Sequence, residues 1–468
     1  MVAEVVSMRS SAAKFFLPVF LALLAVSLPG SSARSTRDDR IIMAQTPPMG
    51  WNSWDSWGLT IDEQNFRDSV TWFHNNLQRF SWQYVVIDEG WFAQHPDSAV
   101  GHMDYTISDD GRYMPAVNRF PSAEGGKGFR PLADWVHSLG LKFGIHIVRG
   151  IPREAVERKL RIAGSHFTAD EAADTSDTCS WNSDNYGLKN NKAAQAYYDS
   201  VADLYAKWGV DYLKVDCISR PYKADEIHMM HDALLHTGRP IVLSLSPGPT
   251  PKEDADDVVR NAQLWRISDD MWDLWSKPEN APAFPQSLKN QFALISKWNA
   301  DEGPGHWPDA DMLPIGYLGP KPGWGQPRQT RLTRDEVRTM MTLWCIAKSP
   351  LFIGTNLLKM DAFTESVLTS PELIAVDQYG ENNRPVIEKG DSIVWMASAP
   401  EQVGDYIAIF NLSDVPQPVN YSWHDLGLQF GKFEVRDLWQ RKDVGRLDHI
   451  EATLPPHGAG LYEVEYHQ

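Results

Sequence analysis

Hydrophobic and polar positions follow one repeating pattern through most of the chain. From residue 47 onward, short runs of β-branched and aromatic residues are each followed by turn residues and then by apolar positions at helical spacing. The runs that predict strands lie at 49–54, 84–88, 142–148, 211–216, 240–246, 264–268, 311–316 and 351–354. The segments that predict helices include 61–77, 133–139, 191–208, 224–235, 286–298 and 334–347. Eight alternations of strand and helix are typical of a (β/α)8 or TIM barrel.

A doubly wound open sheet is the alternative fold for such an alternation. It is disfavoured because no Gly-x-Gly-x-x-Gly motif follows an early strand. Beyond about residue 383 the helical periodicity stops, and strands with alternating apolar residues are predicted at 393–399, 406–411, 419–423, 433–439 and 460–465. The sequence therefore predicts an α/β barrel at 47–383, followed by a C-terminal antiparallel β-sandwich domain at 384–468.

The amino terminus has the pattern of a secretory signal peptide. Basic residues precede an apolar run at 15–28, and the small residues Ser31, Ser32 and Ala33 follow it. A transmembrane anchor is the alternative, but the run is shorter than the ~20 residues that a bilayer core requires. We expect residues 1–33 to be removed on export, residues 34–46 to form a linker, and the protein to be secreted or periplasmic.

Composition narrows the class of partner. The 468 residues carry 44 Lys and Arg against 61 Asp and Glu, a net charge of −17. This acidity argues against a nucleic-acid partner, which a basic surface normally binds. The 19 tryptophans suit stacking on sugars, although a large core explains many of them. We expect a carbohydrate partner and no membrane association after signal cleavage, and the sequence does not specify an oligomeric state.

Three cysteines allow at most one internal disulfide in an exported chain. Cys179 and Cys217 border predicted loops, whereas Cys345 lies in the apolar helical stretch 340–347. We therefore expect the first two to pair and the third to be buried.

The chemistry of a barrel lies at the carboxyl ends of its strands, and there this sequence is strongly acidic. The acidic residues that end or follow predicted strands are Asp88, Glu89, Asp216, Asp269, Asp270, Asp309 and Asp311, with Trp51, Trp54, Trp57, Trp91, Trp265 and Trp272 nearby. Of the tryptophans, Trp54 and Trp265 are expected to be walls of the site. Converging carboxyl groups are what glycosidic bond cleavage requires, since one protonates the leaving oxygen and another attacks or shields the anomeric carbon.

Two of these carboxyl groups have surroundings that suit distinct roles. Lys214 and Asp216 are two apart on one strand and so face the same way, and the ammonium favours the ionised carboxylate that a nucleophile needs. A buried ion pair that only closes the barrel is the alternative. Asp270 follows Arg266 in a loop rich in tryptophan, where desolvation raises a carboxyl pKa and suits a general acid. The alternative there is a solvated loop aspartate, and Asp269 is the competing neighbour.

Metal and cofactor chemistry has little support. His228, His231 and His236 fall on one predicted helix of the outer ring, away from the strand ends, and are expected to be surface residues. No His-x-His ends the first strand and no Cys-x-x-Cys occurs, so a metal-dependent hydrolase is disfavoured. We expect the reaction to need no metal or cofactor.

Several motifs together resemble glycoside hydrolase family 27, whose best-known members are retaining α-galactosidases. The motifs are PPMGWNSW at 47–54, YVVID at 84–88, LKFGI at 141–145, KVD at 214–216, WR at 265–266 with Asp270, DADMLPI at 309–315 and the stretch 340–357. The resemblance implies that Asp216 is the nucleophile and Asp270 the acid/base. It also implies that Trp54 forms a wall under the sugar, Asp88 binds the hydroxyl at carbon 4, Lys214 those at carbons 3 and 4, and Arg266 that at carbon 2. Cys179 and Cys217 fall near the family's disulfide.

Three departures from the family pattern bear on the substrate. Glu89 stands where relatives commonly have aspartate, and its extra methylene is aimed at the carbon-6 side, where it crowds a hydroxymethyl group. His146 stands where many relatives have tyrosine and either donates to a hydroxyl or packs in the wall. Ser246 begins a small loop after the fifth predicted strand, beside carbon 2, as in the N-acetylgalactosaminidase branch.

The resemblance implies a retaining exo-acting α-galactosidase that works by double displacement. The first alternative is a β-L-arabinopyranosidase, because that pentose has the ring and hydroxyl stereochemistry of α-D-galactose without carbon 6. An α-N-acetylgalactosaminidase is a weaker alternative. A non-catalytic glycan-binding barrel is disfavoured because both acids stand at their expected places. Double displacement requires the two carboxyl groups to lie about 5–5.5 Å apart.

Overall fold

The computed structural model of the chain describes residues 43–96 and 104–466. The predicted signal peptide at 1–33 lies outside the described residues, as does most of the predicted linker. Within the described part of the chain, no helix is long and apolar enough to cross a membrane.

Strands and helices alternate from residue 49 as the periodicity predicts. The strands of this part are β1 Met49–Asn52, β2 Tyr84–Ile87, β3 Lys142–Val148, β4 Ile151–Pro152, β5 Ala173–Thr178, β6 Asn185–Leu188, β7 Tyr212–Asp216, β8 Val242–Leu245, β9 Leu264–Arg266, β10 Trp307–Asp309, β11 Tyr317–Leu318, β12 Arg328–Gln329 and β13 Leu351–Ile353. The helices are α1 Trp54–Trp57, α2 Glu63–Asn76, α3 Arg130–Ser138, α4 Arg153–Glu157, α5 Ala169–Ala172, α6 Lys192–Trp208, α7 Ala224–His236, α8 Ala255–Asn261, α9 Leu288–Trp298, α10 Arg334–Ile346, α11 Ala362–Leu368 and α12 Pro371–Tyr379.

Eight parallel strands form one curled sheet in the order β10-β9-β8-β7-β3-β2-β1-β13. A parallel bridge between Leu313 and Ile353 links the segment after β10 to β13, the other end of the sheet. The predicted barrel fold is confirmed. Its parallel strands are short, and each is followed by a helix or a long loop at its carboxyl end.

One predicted strand is wrong in position. The seventh barrel strand is Trp307–Asp309, which pairs with β9, and not 311–316. Asp311 has a φ of 81°, a left-handed conformation that cannot continue an extended strand. The apolar run after it, Met312–Ile315, is buried as a loop, and short buried loops and strands share the same composition.

Side chains alternate between two cores along each barrel strand, as the period of two requires. In β2, Val85 and Ile87 pack in the core beneath the helices, whereas Tyr84 and Val86 belong to a small cluster inside the barrel. Tyr212 of β7 lies in that inner cluster too. Residues two and four positions further along these strands therefore face the barrel interior at its carboxyl-end mouth.

The C-terminal region forms an antiparallel β-sandwich, as predicted. Its strands are β14 Glu381–Lys389, β15 Ser392–Ser398, β16 Gly404–Asn411, β17 Gln417–Ser422, β18 Phe433–Asp437, β19 Lys442–Leu447, β20 His449–Leu454 and β21 Ala459–Glu465. Six of them form one sheet in the order β14-β15-β16-β21-β18-β19, and β17 pairs with β20. In β15, Val394 and Met396 face the sandwich core, whereas Ile393 and Trp395 join the core of the barrel.

Candidate active site

A cavity of about 320 Å³ opens at the carboxyl ends of the barrel strands. This volume is in the range of pockets for small ligands. The residues that line it are Trp54, Asp55, Asp88, Glu89, Trp181, Lys214, Asp216, Arg220, Ser246, Pro247, Arg266, Asp269, Asp270, Met271, Trp272, Phe284, Asp311, Met312, Gly323 and Trp324. Asp88, Lys214 and Arg266 reach it because each stands two or four positions after an inward-facing strand residue.

Lys214 and Asp88 form an ion pair at one side of the cavity. Nζ of Lys214 lies 3.0 Å from Oδ2 of Asp88, which also accepts a 2.7 Å hydrogen bond from Asn52. Burial by itself raises the pKa of Asp88, but the charges of Lys214 and His146 hold that pKa well below its usual range. The same attraction outweighs burial for Lys214 and raises its pKa. Asp88 is therefore ionised and can accept hydrogen bonds from a ligand.

Asp216 is the second carboxylate on this side. Its Oδ2 lies 3.3 Å from Nε2 of His146, and its Oδ1 accepts a 2.8 Å hydrogen bond from the Cys217 amide. Burial raises the pKa of Asp216, yet the hydrogen bond from His146 and the charges of His146 and Lys214 bring it below its usual range. His146 itself is buried and is not among the cavity-lining residues, and it contacts the Asp216 carboxylate.

Across the barrel, Arg266 faces several carboxyl groups. Its Nη2 lies 2.8 Å from Asp311 and 3.2 Å from Asp270, and Asp309 adds further negative charge. Burial raises the pKa of Asp270, and the nearby charge of Asp216 raises it further, despite the attraction of Arg266. Burial likewise raises the pKa of Asp311, together with repulsion from Asp270 and Asp309. Asp270 and Asp311 are therefore shifted in the direction opposite to Asp88 and Asp216.

Glu89 lines the cavity directly after Asp88 and is only 3% exposed. Its Oε1 accepts a 2.6 Å hydrogen bond from Nδ2 of Asn182. Burial raises the pKa of Glu89 to about 7, although His146 and the Asn182 hydrogen bond lower it. The carboxyl group is therefore fixed in one place and stands near its protonation midpoint at neutral pH.

A disulfide joins Cys179 to Cys217, with their Cα atoms 6.0 Å apart, and Cys345 is buried and free. Both expectations for the cysteines are confirmed. The bridge ties the loop that carries Trp181 and Asn182 to the residue directly after Asp216. The loop lies between β5 and β6, two strands that the sequence analysis did not predict.

The remaining predicted residues divide between cavity and core. Trp54 and Ser246 line the cavity, and the backbone of Gly323 packs closely against the Trp54 indole. Trp265, expected as a wall, is instead fully buried against Trp298 with ring centroids 5.7 Å apart. The correction follows from strand parity, because Arg266 faces the cavity and its neighbour must face the helices.

Sequence reasoning missed several residues of the cavity. Trp181, Arg220, Phe284, Trp324 and Asp55 line it, and Asn182 binds the Glu89 carboxyl group in its wall. Arg220 pairs with Asp269 at 2.6 Å, whereas Asp270 lies 3.2 Å from Arg266. The tryptophan content was the available signal for Trp181 and Trp324, but nothing in their local spacing distinguished them from core tryptophans.

A low-pKa carboxylate and a high-pKa carboxyl group that face one cavity suit acid-assisted nucleophilic substitution. The pKa of Asp216 is lowered, which favours the carboxylate, and the pKa of Asp270 is raised by desolvation, which favours the acid form. Both directions agree with those expected from the sequence.

Comparisons with known proteins agree with this chemistry. The family model described as alpha galactosidase A matches residues 185–379, and the model of the alpha galactosidase C-terminal beta sandwich domain matches residues 389–464. Alpha-galactosidase 3 of Arabidopsis thaliana is 31% identical over 436 residues, which cover 90% of this chain and 82% of that protein.

A solved structure described as a GH27 β-L-arabinopyranosidase from Geobacillus stearothermophilus is also similar. It is 44% identical with a TM-score of 0.86, and the match covers 90% of this chain and 97% of that one. A variant of the same protein, solved in complex with arabinose, matches at 43% identity and a TM-score of 0.86, over 91% of this chain and 98% of that one.

Proposed function

The chain belongs to glycoside hydrolase family 27, and from this premise we propose that it removes terminal β-L-arabinopyranosyl units from glycans with retention of configuration. The observation that carries this choice is the buried Glu89 carboxyl group in the cavity wall, fixed by Asn182. An enzyme that releases terminal α-D-galactosyl units is the second candidate, which the named α-galactosidase relative supports.

The two carboxyl groups support a double displacement. The Asp216 carboxylate attacks the anomeric carbon while Asp270 gives its proton to the glycosidic oxygen, so the leaving alcohol departs and a glycosyl–Asp216 ester forms. Asp270, now ionised, takes a proton from water, whose oxygen attacks the same carbon and releases Asp216. Two inversions give net retention. The mechanism predicts a carboxyl separation of about 5–5.5 Å in the substrate complex.

The hydroxyl contacts follow from the charges in the cavity. Asp88 is ionised and accepts hydrogen bonds, whereas Lys214 and Arg266 donate them. These contacts suit a ring with the galactose hydroxyl pattern, which β-L-arabinopyranose shares. Trp54 offers an apolar face to one side of the ring.

Glu89 is the basis for preferring the pentose. It is one methylene longer than the aspartate common in the family, and Asn182 and its burial prevent it from swinging into solvent. A hydroxymethyl group at carbon 5 has to share space with this carboxyl group, whereas a pentopyranose has only hydrogen there. One methylene of crowding corresponds to about 10–200-fold in specificity.

The test compares kcat/KM for nitrophenyl β-L-arabinopyranoside, α-D-galactoside and N-acetyl-α-D-galactosaminide. We expect the arabinopyranoside to be preferred, and Glu89→Asp to shift the ratio toward the galactoside by about 10-fold or more. Glu302→Asp, outside the cavity-lining set, is the matched control. A ratio unmoved by Glu89→Asp contradicts the role of Glu89. If the wild-type protein binds the sugar but hydrolyses none of the three substrates, and the Asp216→Gly variant binds the sugar as well, the protein is a glycan-binding barrel instead.

We also propose that residues 1–33 direct export to the periplasm or medium. Amino-terminal sequencing of the mature protein checks this proposal, which fails if the protein begins at Met1.

A further inference from the structure

A buried arginine stands beside the strand end that carries Asp216. Arg149 directly follows β3, which pairs with β7, and the residue before it, Val148, is the register partner of Asp216. Arg149 is only 2% exposed and is not among the cavity-lining residues. Any effect of Arg149 on the reaction therefore passes through other residues.

Arg149 binds the peptide units on both sides of Cys217. Its backbone amide donates a 3.0 Å hydrogen bond to the Asp216 carbonyl, and its Nε donates a 2.7 Å hydrogen bond to the Cys217 carbonyl. Because a peptide unit is planar, fixing the Asp216 carbonyl also fixes the direction of the Cys217 N–H. That N–H is the 2.8 Å donor to Oδ1 of Asp216. The nucleophilic carboxylate is therefore connected to Arg149 through a single residue.

Cys217 has a backbone conformation that needs such support. Its φ is 60°, in the left-handed region that a residue with a Cβ adopts only at a cost. Such a conformation persists only where the surroundings hold it. Loosening those contacts allows Cys217 to relax toward a negative φ, which turns its N–H away from the Asp216 carboxylate.

The Arg149 guanidinium is itself fixed by two carboxylates. Its Nη1 lies 2.5 Å from Glu226, and its Nη2 lies 2.7 Å from Asp177. The other oxygen of Glu226 accepts a 2.6 Å hydrogen bond from the Tyr198 hydroxyl. Three nitrogens of one guanidinium thus bind three acceptors in different directions, which the single nitrogen of a lysine cannot do.

The contact with Asp177 runs parallel to the disulfide. Asp177 lies in β5, two residues before Cys179. The disulfide joins Cys179 to Cys217, and the Arg149 guanidinium joins Asp177 to the Cys217 carbonyl. Cys217 is therefore tied to the same segment by one covalent and one ionic link.

We propose that Arg149 is a positioning residue for the nucleophile, which together with the Cys179–Cys217 disulfide holds Cys217 so that the Asp216 carboxylate stays aimed at the anomeric carbon. Misplacing a reacting group by about 1 Å can cost roughly 10²-fold in rate. The proposal rests on the proposed glycosidase function, in which Asp216 attacks, and adds the residues that orient the attack.

The first test is Arg149→Lys, which keeps the charge but not the three-way contact. It measures kcat on whichever of the three nitrophenyl glycosides the wild type hydrolyses, and the inhibition constant of the released sugar. We expect kcat to fall about 10–100-fold and the inhibition constant to stay within about twofold, because the residues proposed to bind the sugar hydroxyls keep their contacts. A wild type that hydrolyses none of the glycosides contradicts the proposed function instead.

Arg239→Lys is the matched control, at the amino end of β7. Nε of Arg239 donates a 2.7 Å hydrogen bond to the Val210 carbonyl, and its Nη2 lies 2.5 Å from Asp211. We expect this variant to lose thermal stability but to keep kcat within about twofold. Equal losses of kcat in the two lysine variants, or a loss of sugar binding as large as the loss of kcat, show a general structural role and overturn the proposal.

A second measurement tests the shared hold without changing Arg149. Asp177→Asn weakens the ionic link, and Cys179→Ser removes the covalent one. We expect each variant to lower kcat roughly 3–10-fold, and the double variant to exceed the product of the two losses about 10-fold, because each link compensates for loss of the other. Losses that simply multiply overturn the shared hold.

Lys223→Met is the control for this pair, since Lys223 also binds Asp177, at 2.9 Å, without contacting Cys217 through the guanidinium. Its effect should multiply with that of Cys179→Ser. A coupling as large as that of Asp177→Asn assigns the effect to Asp177 itself and contradicts the role of Arg149. Thermal unfolding curves establish that the variants are folded.

Discussion

The two sides of the cavity hold aspartates whose pKa values are shifted in opposite directions. On the β2 and β7 side, Asp88 and Asp216 share Lys214 and His146 as positive partners, and their pKa values are lowered. On the β9 and β10 side, Asp270, Asp309 and Asp311 have Arg266 as their close cationic partner, and their pKa values are raised. Burial acts on all five in the same direction, so it does not explain the difference.

The close partners of each carboxyl group explain it. Asp88 and Asp216 lie beside Lys214 and His146 and accept hydrogen bonds, whereas Asp270, Asp309 and Asp311 share the Arg266 guanidinium. Each additional carboxylate repels the charge of its neighbours, and desolvation then favours protonation. A nucleophile and an acid therefore arise in one cavity from the same residue type, because their close counter-charges and hydrogen bonds differ.

Removing the proton from the acid side gives the largest expected effect. Asp270→Asn should lower kcat/KM about 10²–10⁴-fold on a disaccharide and much less on a glycosyl fluoride, whose leaving group needs no protonation. The wild-type rate falls as pH rises through the raised pKa of Asp270, because the acid form is lost. The variant lacks that alkaline limb. A pH profile of kcat/KM checks this, and an alkaline limb that persists in Asp270→Asn assigns the proton to another group, with Asp311 the neighbour to test.

Removing a cation from the nucleophile side makes the two sides alike. Lys214→Met should raise the pKa of Asp216, so the acidic limb of the pH profile moves to higher pH, and should lower kcat/KM roughly 10–100-fold. The unpaired Asp88 charge should also destabilise the fold by about 3–5 kcal/mol. The control is Lys142→Met, which removes the lysine at the first residue of β3. An acidic limb that stays in place shows that Lys214 does not set the Asp216 pKa.

Releasing Glu89 from its partner gives the smallest effect. Asn182→Ala removes one hydrogen bond to a carboxyl group and should reduce the preference for the pentoside about 5–10-fold, because Glu89 is free to turn away. Asn182→Asp keeps the size and should raise the Glu89 pKa above 7. The ratio of kcat/KM for the pentoside to kcat/KM for the hexoside is measured for both Asn182 variants, with Asn118→Ala as a surface control. If the ratio does not change, Glu89 is held by its burial alone.

Most of the correctly predicted site residues follow from strand parity, the rule that alternate side chains of a strand face the same way. Lys214, Asp216 and Arg266 reach the cavity for the reason that their spacing gave, since alternate side chains of a strand face the same way. Parity also shows why Trp265 belongs to the core, an inference that the same rule permits once Arg266 is assigned to the cavity. The predicted position of the seventh strand was wrong because apolar composition alone does not distinguish a short strand from a buried loop.

Local pattern thus determined the alternation of elements, the two-domain fold and the residues at the strand ends, because each depends on spacing within a few positions. Only the tertiary structure brought Asn182 to Glu89 and joined Phe284 to Trp324, across separations of 93 and 40 residues. These contacts depend on how long loops fold over the barrel mouth, which spacing does not encode. The pKa contrast has the same origin, because it depends on how many charges meet in space.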